Sequence, residues 1–156
     1  MNTRPTRVEH LMATAQLVKF RATCDRLHVG VVIARDARII STGYNGAPRG
    51  MKHCDHKCTC KGPVELNGEL QHWDSCDMNH PCRLSVHAEV NAIAYAAKAG
   101  VSTFGAEMFT TNAPCYACAQ LIINAGIMQV WYAEPFRDMS GIELLHMAKI
   151  QVSQTT

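Results

Sequence analysis

Residues 107–132, EMFTTNAPCYACAQLIINAGIMQVWY, decide the fold. The β-rich run Glu107–Thr111 predicts a strand, and Pro114 breaks it. A helix is predicted from about Cys115 to Ala125, and the strand Met128–Tyr132 follows. Because the crossover between the two strands is short and helical, the stretch predicts a parallel βαβ unit.

Hydrophobic periodicity and capping signals predict further elements on both sides of this unit. They are an amphipathic helix over 6–23, a hairpin of strands at 29–34 and 38–41, a helix capped by Ser85 and running from Val86 to about Lys98, a helix at 142–148 and a strand at 150–152. This order predicts an α/β fold in which a central mixed sheet carries helices on both faces.

The length and composition indicate one packed domain over residues 1–156. Of the 156 residues, 47% are hydrophobic and 18% charged, which is typical of a globular core and excludes a disordered or charge-driven scaffold. The net charge is only +2, so the basic surface of a dedicated nucleic-acid binder is missing. We therefore expect no nucleic-acid partner.

The chain has no apolar run of about 18 residues, and its first twenty residues lack a secretory leader pattern. We therefore expect a cytoplasmic protein without a membrane partner.

The chain contains eight cysteines together with eight histidines, and a reducing compartment keeps thiols free. Metal ligation is thus favoured over a disulfide framework.

Two short motifs stand at predicted helix starts, His87-Ala88-Glu89 and Pro114-Cys115-Tyr116-Ala117-Cys118. One imidazole and two thiolates can supply three ligands of a tetrahedral zinc, leaving the fourth position to water, whose pKa the metal lowers to about 7. The positive end of a helix dipole also favours thiolates. Glu89 is suitably placed to carry protons as a general acid and base. A closed structural zinc knot and a thioredoxin-like redox pair are the alternatives, and the redox pair leaves His87 and Glu89 unexplained.

These motifs match the H-x-E and P-C-x-x-C signature of zinc nucleobase deaminases. The chain resembles the cytidine deaminase superfamily, and within it the deoxycytidylate (dCMP) deaminase family. The similarity runs from about Cys24 to Ile150 and includes CDRLHVGVV (24–32), GYNGAPRG (43–50), VHAEVNAI (86–93), TNAPCYACAQLIINAG (111–126) and WYAEPFRDMSGIELL (131–145). The resemblance implies a three-layer α/β/α cytidine deaminase-like fold. It also implies zinc-dependent conversion of dCMP and water to dUMP and ammonia, feeding dTMP synthesis.

The resemblance assigns roles to residues of this chain. His87, Cys115 and Cys118 would be ligands of the catalytic zinc, and Glu89 the proton shuttle. Substrate binding is expected of Asn45, Ala88, Arg49 and Arg137, and effector binding of Tyr95 and Lys98. Free cytidine deaminases usually carry cysteine in place of His87, which favours a nucleotide substrate.

Each of these assignments has a simpler alternative. Asn45-Gly46 could form an ordinary hairpin turn, and Tyr95 could pack in the core. Arg49, Lys98 and Arg137 are phosphate candidates that could instead be solvated charges. Arg137 is the first choice because it follows a sheet strand, although relatives often carry tyrosine where this chain has Phe136.

Residues 51–82 form a Cys/His-rich insertion that we expect to bind a structural zinc. By resemblance, Cys24 and Cys54 are among its ligands. The other candidates are Cys58, Cys60, Cys76, Cys82, His56 and His80. Reduced cysteines without metal are the alternative, and Trp73 could cover the substrate or pack against the insertion.

Relatives are often hexamers that dCTP with magnesium activates and dTTP inhibits. The resemblance therefore implies a homo-oligomer, dCTP and dTTP as effectors, and Mg²⁺ bound with the effector. Open alternatives are another deaminase substrate, namely 5-modified dCMP, dCTP, guanine or a tRNA base, and a zinc module without catalysis.

Overall fold

The computed structural model describes residues 4–24, 27–51, 53, 63–66, 69–72 and 85–155. In chain order its elements are α1 (Arg7–Val18), a 3-10 turn (Lys19–Arg21), β1 (Gly30–Arg35), β2 (Arg38–Tyr44), β3 (Pro63–Leu66), β4 (Glu69–His72), α2 (Ala88–Lys98), β5 (Glu107–Asn112), α3 (Tyr116–Asn124), β6 (Gln129–Glu134), α4 (Ser140–Met147) and β7 (Gln151–Gln154).

Five strands form a mixed sheet in the order β2-β1-β5-β6-β7. Strand β1 pairs antiparallel with β2 and β5, whereas β5–β6 and β6–β7 are parallel pairs. The predicted parallel βαβ unit is confirmed as β5-α3-β6. Because β1 runs against β5, the start of β1 and the ends of β2, β5 and β6 lie at one edge of the sheet.

Helices cover both faces of the sheet, which confirms the three-layer fold. The side chains of β1 alternate between the two layers. Val31 and Ile33 pack in a core with α2, α3 and α4, whereas Val32 packs with Leu11 and Ala15 of α1. Fully buried apolar side chains on both faces position the helix starts at the sheet edge.

The second helix departs from its predicted start. Val86 pairs with Gly46 in an isolated antiparallel bridge, with N···O distances of 3.1 and 2.9 Å for its two backbone hydrogen bonds. This pairing holds Val86 extended, so α2 begins at Ala88 with His87 as its N-cap. The prediction that Ser85 caps a helix starting at Val86 is wrong.

The first helix is shorter than predicted. Thr6 is its N-cap and forms a capping box with Glu9, and the helix passes into the 3-10 turn after Val18. The backbone N–H of Thr23 donates to the carbonyl of Asn45, at 3.1 Å. The backbone has therefore left the helix before Thr23 and joined the sheet edge.

Strands β3 and β4 form an antiparallel hairpin inside the Cys/His-rich segment, which the polar sequence does not predict. The structural zinc candidates Cys54, Cys58, Cys60, Cys76, Cys82, His56 and His80, together with Trp73, lie outside the described residues. None of the described helices is long and apolar enough to cross a membrane.

Candidate metal centre and substrate cavity

Two helix starts carry the predicted ligands. His87 is the N-cap of α2 and Cys115 is the N-cap of α3, each in an extended conformation. Within the described chain, neither side chain makes a capping hydrogen bond, so both are available to another partner. Cys118 lies one turn further along α3.

The three side chains converge at the sheet edge. Their ligand atoms all lie within 4.8 Å of one another. The Nδ1 atom of His87 is 3.5 Å from Sγ of Cys115 and 3.3 Å from Sγ of Cys118. Tetrahedral zinc with ordinary Zn–N and Zn–S lengths requires an N···S separation of about 3.6 Å. The geometry and the donor set therefore fit zinc.

Hydrogen bonds among the three groups favour a thiolate at Cys115. Hydrogen bonds from the Cys118 thiol and from His87 lower the pKa of Cys115 to about 4. The hydrogen bond to Cys115 raises the pKa of His87. The hydrogen bond to Cys115, together with burial, raises the pKa of the Cys118 thiol. Cys115 is thus the first thiolate available to a metal ion.

Glu89 lies in the first turn of α2 and is only 4% exposed. Burial raises the pKa of its carboxyl, and the nearby His87 opposes this shift. A buried carboxyl whose pKa is raised takes up a proton more readily than a solvated one. The shift thus favours proton uptake by Glu89, beside the candidate metal ligands.

A cavity of about 270 Å³ opens beside the cluster, near the lower end of the range for small-molecule sites, about 300–1,000 Å³. Its described wall brings together residues from the starts of α2 and α3, the end of β5 and the loop after β6. They are Cys24, Leu27, Val29, Asn45, Ser85, His87, Ala88, Glu89, Asn112, Ala113, Cys115, Phe136 and Arg137.

Several residues predicted from the sequence for substrate binding lie in this wall, namely Asn45, Ala88 and Arg137. Cys24, predicted as a structural zinc ligand, is buried and lines the same cavity.

Other predicted binding residues lie elsewhere. Arg49 is exposed and does not belong to the described wall. Lys98 ends α2, about 15 Å from Ala88 at the helical rise of ~1.5 Å per residue. Tyr95 is 64% exposed on the same helix, so the interpretation that it packs in the core is wrong.

Asn45 follows the end of β2 and is buried. Its side-chain oxygen accepts a hydrogen bond from the Val29 N–H at 2.8 Å, and its Nδ2 donates to the Leu27 carbonyl at 2.7 Å. Since Gly46 pairs with Val86 rather than turning a hairpin, the Asn-Gly hairpin alternative is wrong. Asn45 holds one wall of the cavity in place.

Sequence reasoning missed other wall residues, among them Leu27, Val29, Ser85, Asn112, Ala113 and Phe136. Asn112 ends β5, and its Oδ1 accepts a hydrogen bond from the Thr111 hydroxyl at 3.1 Å. Ligands of open α/β sheets bind at the carboxyl ends of strands, and this rule could have identified Asn112.

The guanidinium of Arg137 lies over the aromatic ring of Phe136, with Cζ 5.6 Å from the ring centroid. This is within the range of a cation–π contact. Phe136 therefore provides an aromatic surface for Arg137.

The three-layer fold, the His/Cys/Cys cluster and the buried glutamate beside it together define the class of zinc-binding hydrolytic deaminases. The family model described as the cytidine and deoxycytidylate deaminase zinc-binding region matches residues 5–134. The chain belongs to this family, as its motifs indicate.

Individual relatives agree with this assignment. The chain is 38% identical over 148 residues to ComE operon protein 2 of Bacillus subtilis strain 168, a match covering 94% of this chain and 69% of that protein. It is 36% identical over 129 residues to the deoxycytidylate deaminase of Mycobacterium phage D29, covering 83% of this chain and 95% of that protein. The crystal structure of dCMP deaminase from cyanophage S-TIM5, in complex with dCMP and dUMP, matches with a TM-score of 0.76 and 30% identity, covering 99% of this chain and 100% of that chain.

Proposed function

We propose that this chain is a zinc-dependent deaminase that converts dCMP and water to dUMP and ammonia. The observation that carries the proposal is that His87, Cys115 and Glu89 lie in one cavity wall that also presents Arg137, with the ligand atom of Cys118 within 4.8 Å of those of His87 and Cys115. The relatives named deoxycytidylate deaminase support the choice of substrate.

Zinc would be held by Nδ1 of His87 and the Sγ atoms of Cys115 and Cys118. When bound, it supplies a water molecule with a pKa of about 7. The protein's part is to present a thiolate at Cys115, at the start of α3, where the helix dipole stabilises negative charge, and to place beside it the Cys118 thiol, whose proton would be released on metal binding.

Glu89 moves the protons. In hydrolytic deamination a C–O bond forms at the ring carbon and the C–N bond to the amino group breaks. Glu89 takes a proton from the attacking water and delivers it to the leaving nitrogen, which departs as ammonia. Its burial excludes bulk water and raises the pKa of its carboxyl, which favours proton uptake.

We assign the substrate phosphate to Arg137 and the sugar and base to Asn45 and Ala88. A guanidinium can form two parallel hydrogen bonds with phosphate oxygens, and Phe136 supports Arg137 at the cavity. Arg137 is favoured over Arg49 and Lys98 because it belongs to the described wall.

The deciding experiment is an ammonia-release panel with deoxycytidine, dCMP, 5-methyl-dCMP, 5-hydroxymethyl-dCMP and dCTP. Wild type should prefer dCMP to deoxycytidine. Arg137→Ala should lower kcat/KM for dCMP about 10- to 100-fold, because it loses a charge-assisted contact of about 1.5–3 kcal/mol, while the activity on deoxycytidine changes little. Arg49→Ala, which removes the same charge outside the described wall, is the matched control.

Equal losses on both substrates would give Arg137 a structural role. A wild-type enzyme that uses deoxycytidine as well as dCMP would contradict a nucleotide substrate, and the panel would then identify the preferred one.

We further propose that residues 51–82 bind a structural zinc and that the enzyme is a cytoplasmic homo-oligomer. Free thiols at Cys24, Cys115 and Cys118 suit a reducing compartment.

Tyr95 and Lys98 lie on an exposed face of α2, away from the cavity, where dCTP with Mg²⁺ or dTTP could bind without displacing the substrate. Adding each effector to the panel tests this regulation.

A further inference from the structure

Helix α4 approaches the start of α3 so closely that only glycine fits between them. A Cβ atom built on Gly141, near the start of α4, would lie 2.7 Å from the carbonyl carbon of Cys115 and 2.8 Å from its carbonyl oxygen. It would also overlap the carbonyl oxygen of Pro114. Real Cβ contacts essentially never fall below 3.0 Å, so any side chain at Gly141 must move the backbone of Cys115 or move α4.

Strand β2 makes the corresponding approach to α2. A Cβ atom on Gly43 would lie 2.5 Å from the backbone nitrogen and 2.9 Å from Cα of Ala92, and would overlap the carbonyl oxygen of Ala88. Ala88 directly follows His87. Two side-chain hydrogen bonds hold β2 against α2. The Asn91 side chain donates to the Tyr44 carbonyl at 2.8 Å, and the Ser41 hydroxyl donates to the Ala92 carbonyl at 2.6 Å.

We infer that Gly43 and Gly141 are positioning residues of the metal centre, each fixing the start of one ligand-bearing helix. The inference rests on the zinc-binding role proposed for His87, Cys115 and Cys118. These ligands come from two separate helices, so the N···S distances depend on how each helix start is seated.

The metal centre tolerates smaller displacements of its ligands than a side chain at Gly141 would force. Moving the Cys115 carbonyl oxygen from 2.8 Å to ordinary contact at 3.4 Å requires a displacement of roughly 0.6 Å, whereas metal–ligand distances hold within about ±0.2 Å. A displacement of either helix start should therefore weaken zinc binding, even in a protein that remains folded.

Gly30 provides a matched control. A Cβ atom on Gly30 would lie 2.5 Å from the backbone nitrogen and 3.0 Å from Cα of Lys19, just beyond α1. The clash is of the same kind and size, but it involves the helical layer on the opposite face of the sheet. Gly30→Ala thus reports the general cost of such a clash to the fold.

The experiment measures zinc affinity by chelator competition in full-length Gly43→Ala, Gly141→Ala and Gly30→Ala, at a temperature where each variant is folded by circular dichroism. Cys115→Ser supplies the background from zinc bound elsewhere in the chain. Absorption spectra of the Co²⁺-substituted proteins report ligand geometry independently of activity.

Gly43→Ala and Gly141→Ala should lose about 10- to 100-fold in zinc affinity, which is the loss typical of mutations in the residues that support metal ligands. The Co²⁺ absorption bands of these two variants should also shift. Gly30→Ala should bind zinc as wild type does.

If either alanine variant fails to fold, Asn91→Ala loosens the β2–α2 contact and Ile142→Val loosens the buried packing of α4, in both cases without a clash. Each should weaken zinc binding in the same direction by a smaller factor. Wild-type zinc affinity and Co²⁺ spectra in the folded variants, with stability losses equal to that of Gly30→Ala, would overturn the inference. A wild-type protein without zinc at the cluster would instead overturn the proposed function.

Discussion

Replacing Asn45 with alanine should affect both the stability of the fold and the binding of substrate. The change removes the hydrogen bonds that Asn45 accepts from Val29 at 2.8 Å and donates to Leu27 at 2.7 Å. At about 0.5–1.5 kcal/mol each, their loss should lower the free energy of unfolding by roughly 1–3 kcal/mol. For a chain of this length, a mid-range loss of ~2 kcal/mol corresponds to a fall in Tm of roughly 4–8 °C.

The assay compares Asn45→Ala with Thr103→Val in calorimetric unfolding at constant zinc and in dCMP kinetics. Like Asn45, Thr103 bonds to the backbone through its side chain, although with a single hydrogen bond, to the Ala125 carbonyl at 2.7 Å. Thr103 is not part of the described cavity wall. The control should lose stability and keep its KM. Asn45→Ala should lose stability and also show a raised KM for dCMP, because its segment shapes the wall and its amide is assigned to the substrate.

Two results would refute this reasoning. A change in unfolding free energy below about 0.5 kcal/mol, the range of ordinary surface substitutions, would mean that Asn45 does not hold Leu27–Val29. A stability loss like that of the control, with unchanged KM and kcat, would remove Asn45 from the substrate site.

Three further substitutions test the metal sites and the proton carrier. Glu89→Gln keeps the side-chain shape but cannot carry a proton, so turnover should fall by at least about 10²- to 10⁴-fold while zinc stays bound; near-normal turnover would remove Glu89 from the mechanism. Cys115→Ser should lose the catalytic zinc and the activity together, and full zinc content by metal analysis would show that Cys115 is not a ligand. Native mass spectrometry should find at least two zinc ions per chain in wild type and one fewer in Cys54→Ser, whose Tm should fall more than that of Glu89→Gln because a structural ion contributes folding free energy. One zinc ion per wild-type chain would contradict a metal-dependent insertion.

Outside the Cys/His-rich segment, local signals in the sequence were sufficient for the order of the helices and strands, and they were sufficient for the chemistry of the centre. Pro114 and Gly126 bracket α3, and apolar runs mark the strands, because helix ends and buried strands have requirements that single residues satisfy. The H-x-E and P-C-x-x-C motifs similarly place ligands and a carboxylate on two helix starts, since both spacings lie within one helical turn.

Tertiary structure alone decided which of these residues meet. His87 and Cys115 are 28 positions apart, and they are neighbours because the sheet order brings α2 and α3 to one edge. The bridge between Gly46 and Val86 moved the start of α2 to Ala88, against a local signal that favoured Ser85 as the cap.

The cavity wall depended on the same long-range pairing. The hydrogen bonds of Asn45 to Leu27 and Val29, and the position of Asn112, arise because β1 runs antiparallel between β2 and β5. Similarly, the exposure of Tyr95 follows from which face of α2 packs on the sheet. Such contacts join segments far apart in the chain, so their geometry is set by the packing of the whole core. Helix caps, turns and ligand spacing are set by residues a few positions apart, and they can therefore be recognised in the sequence itself.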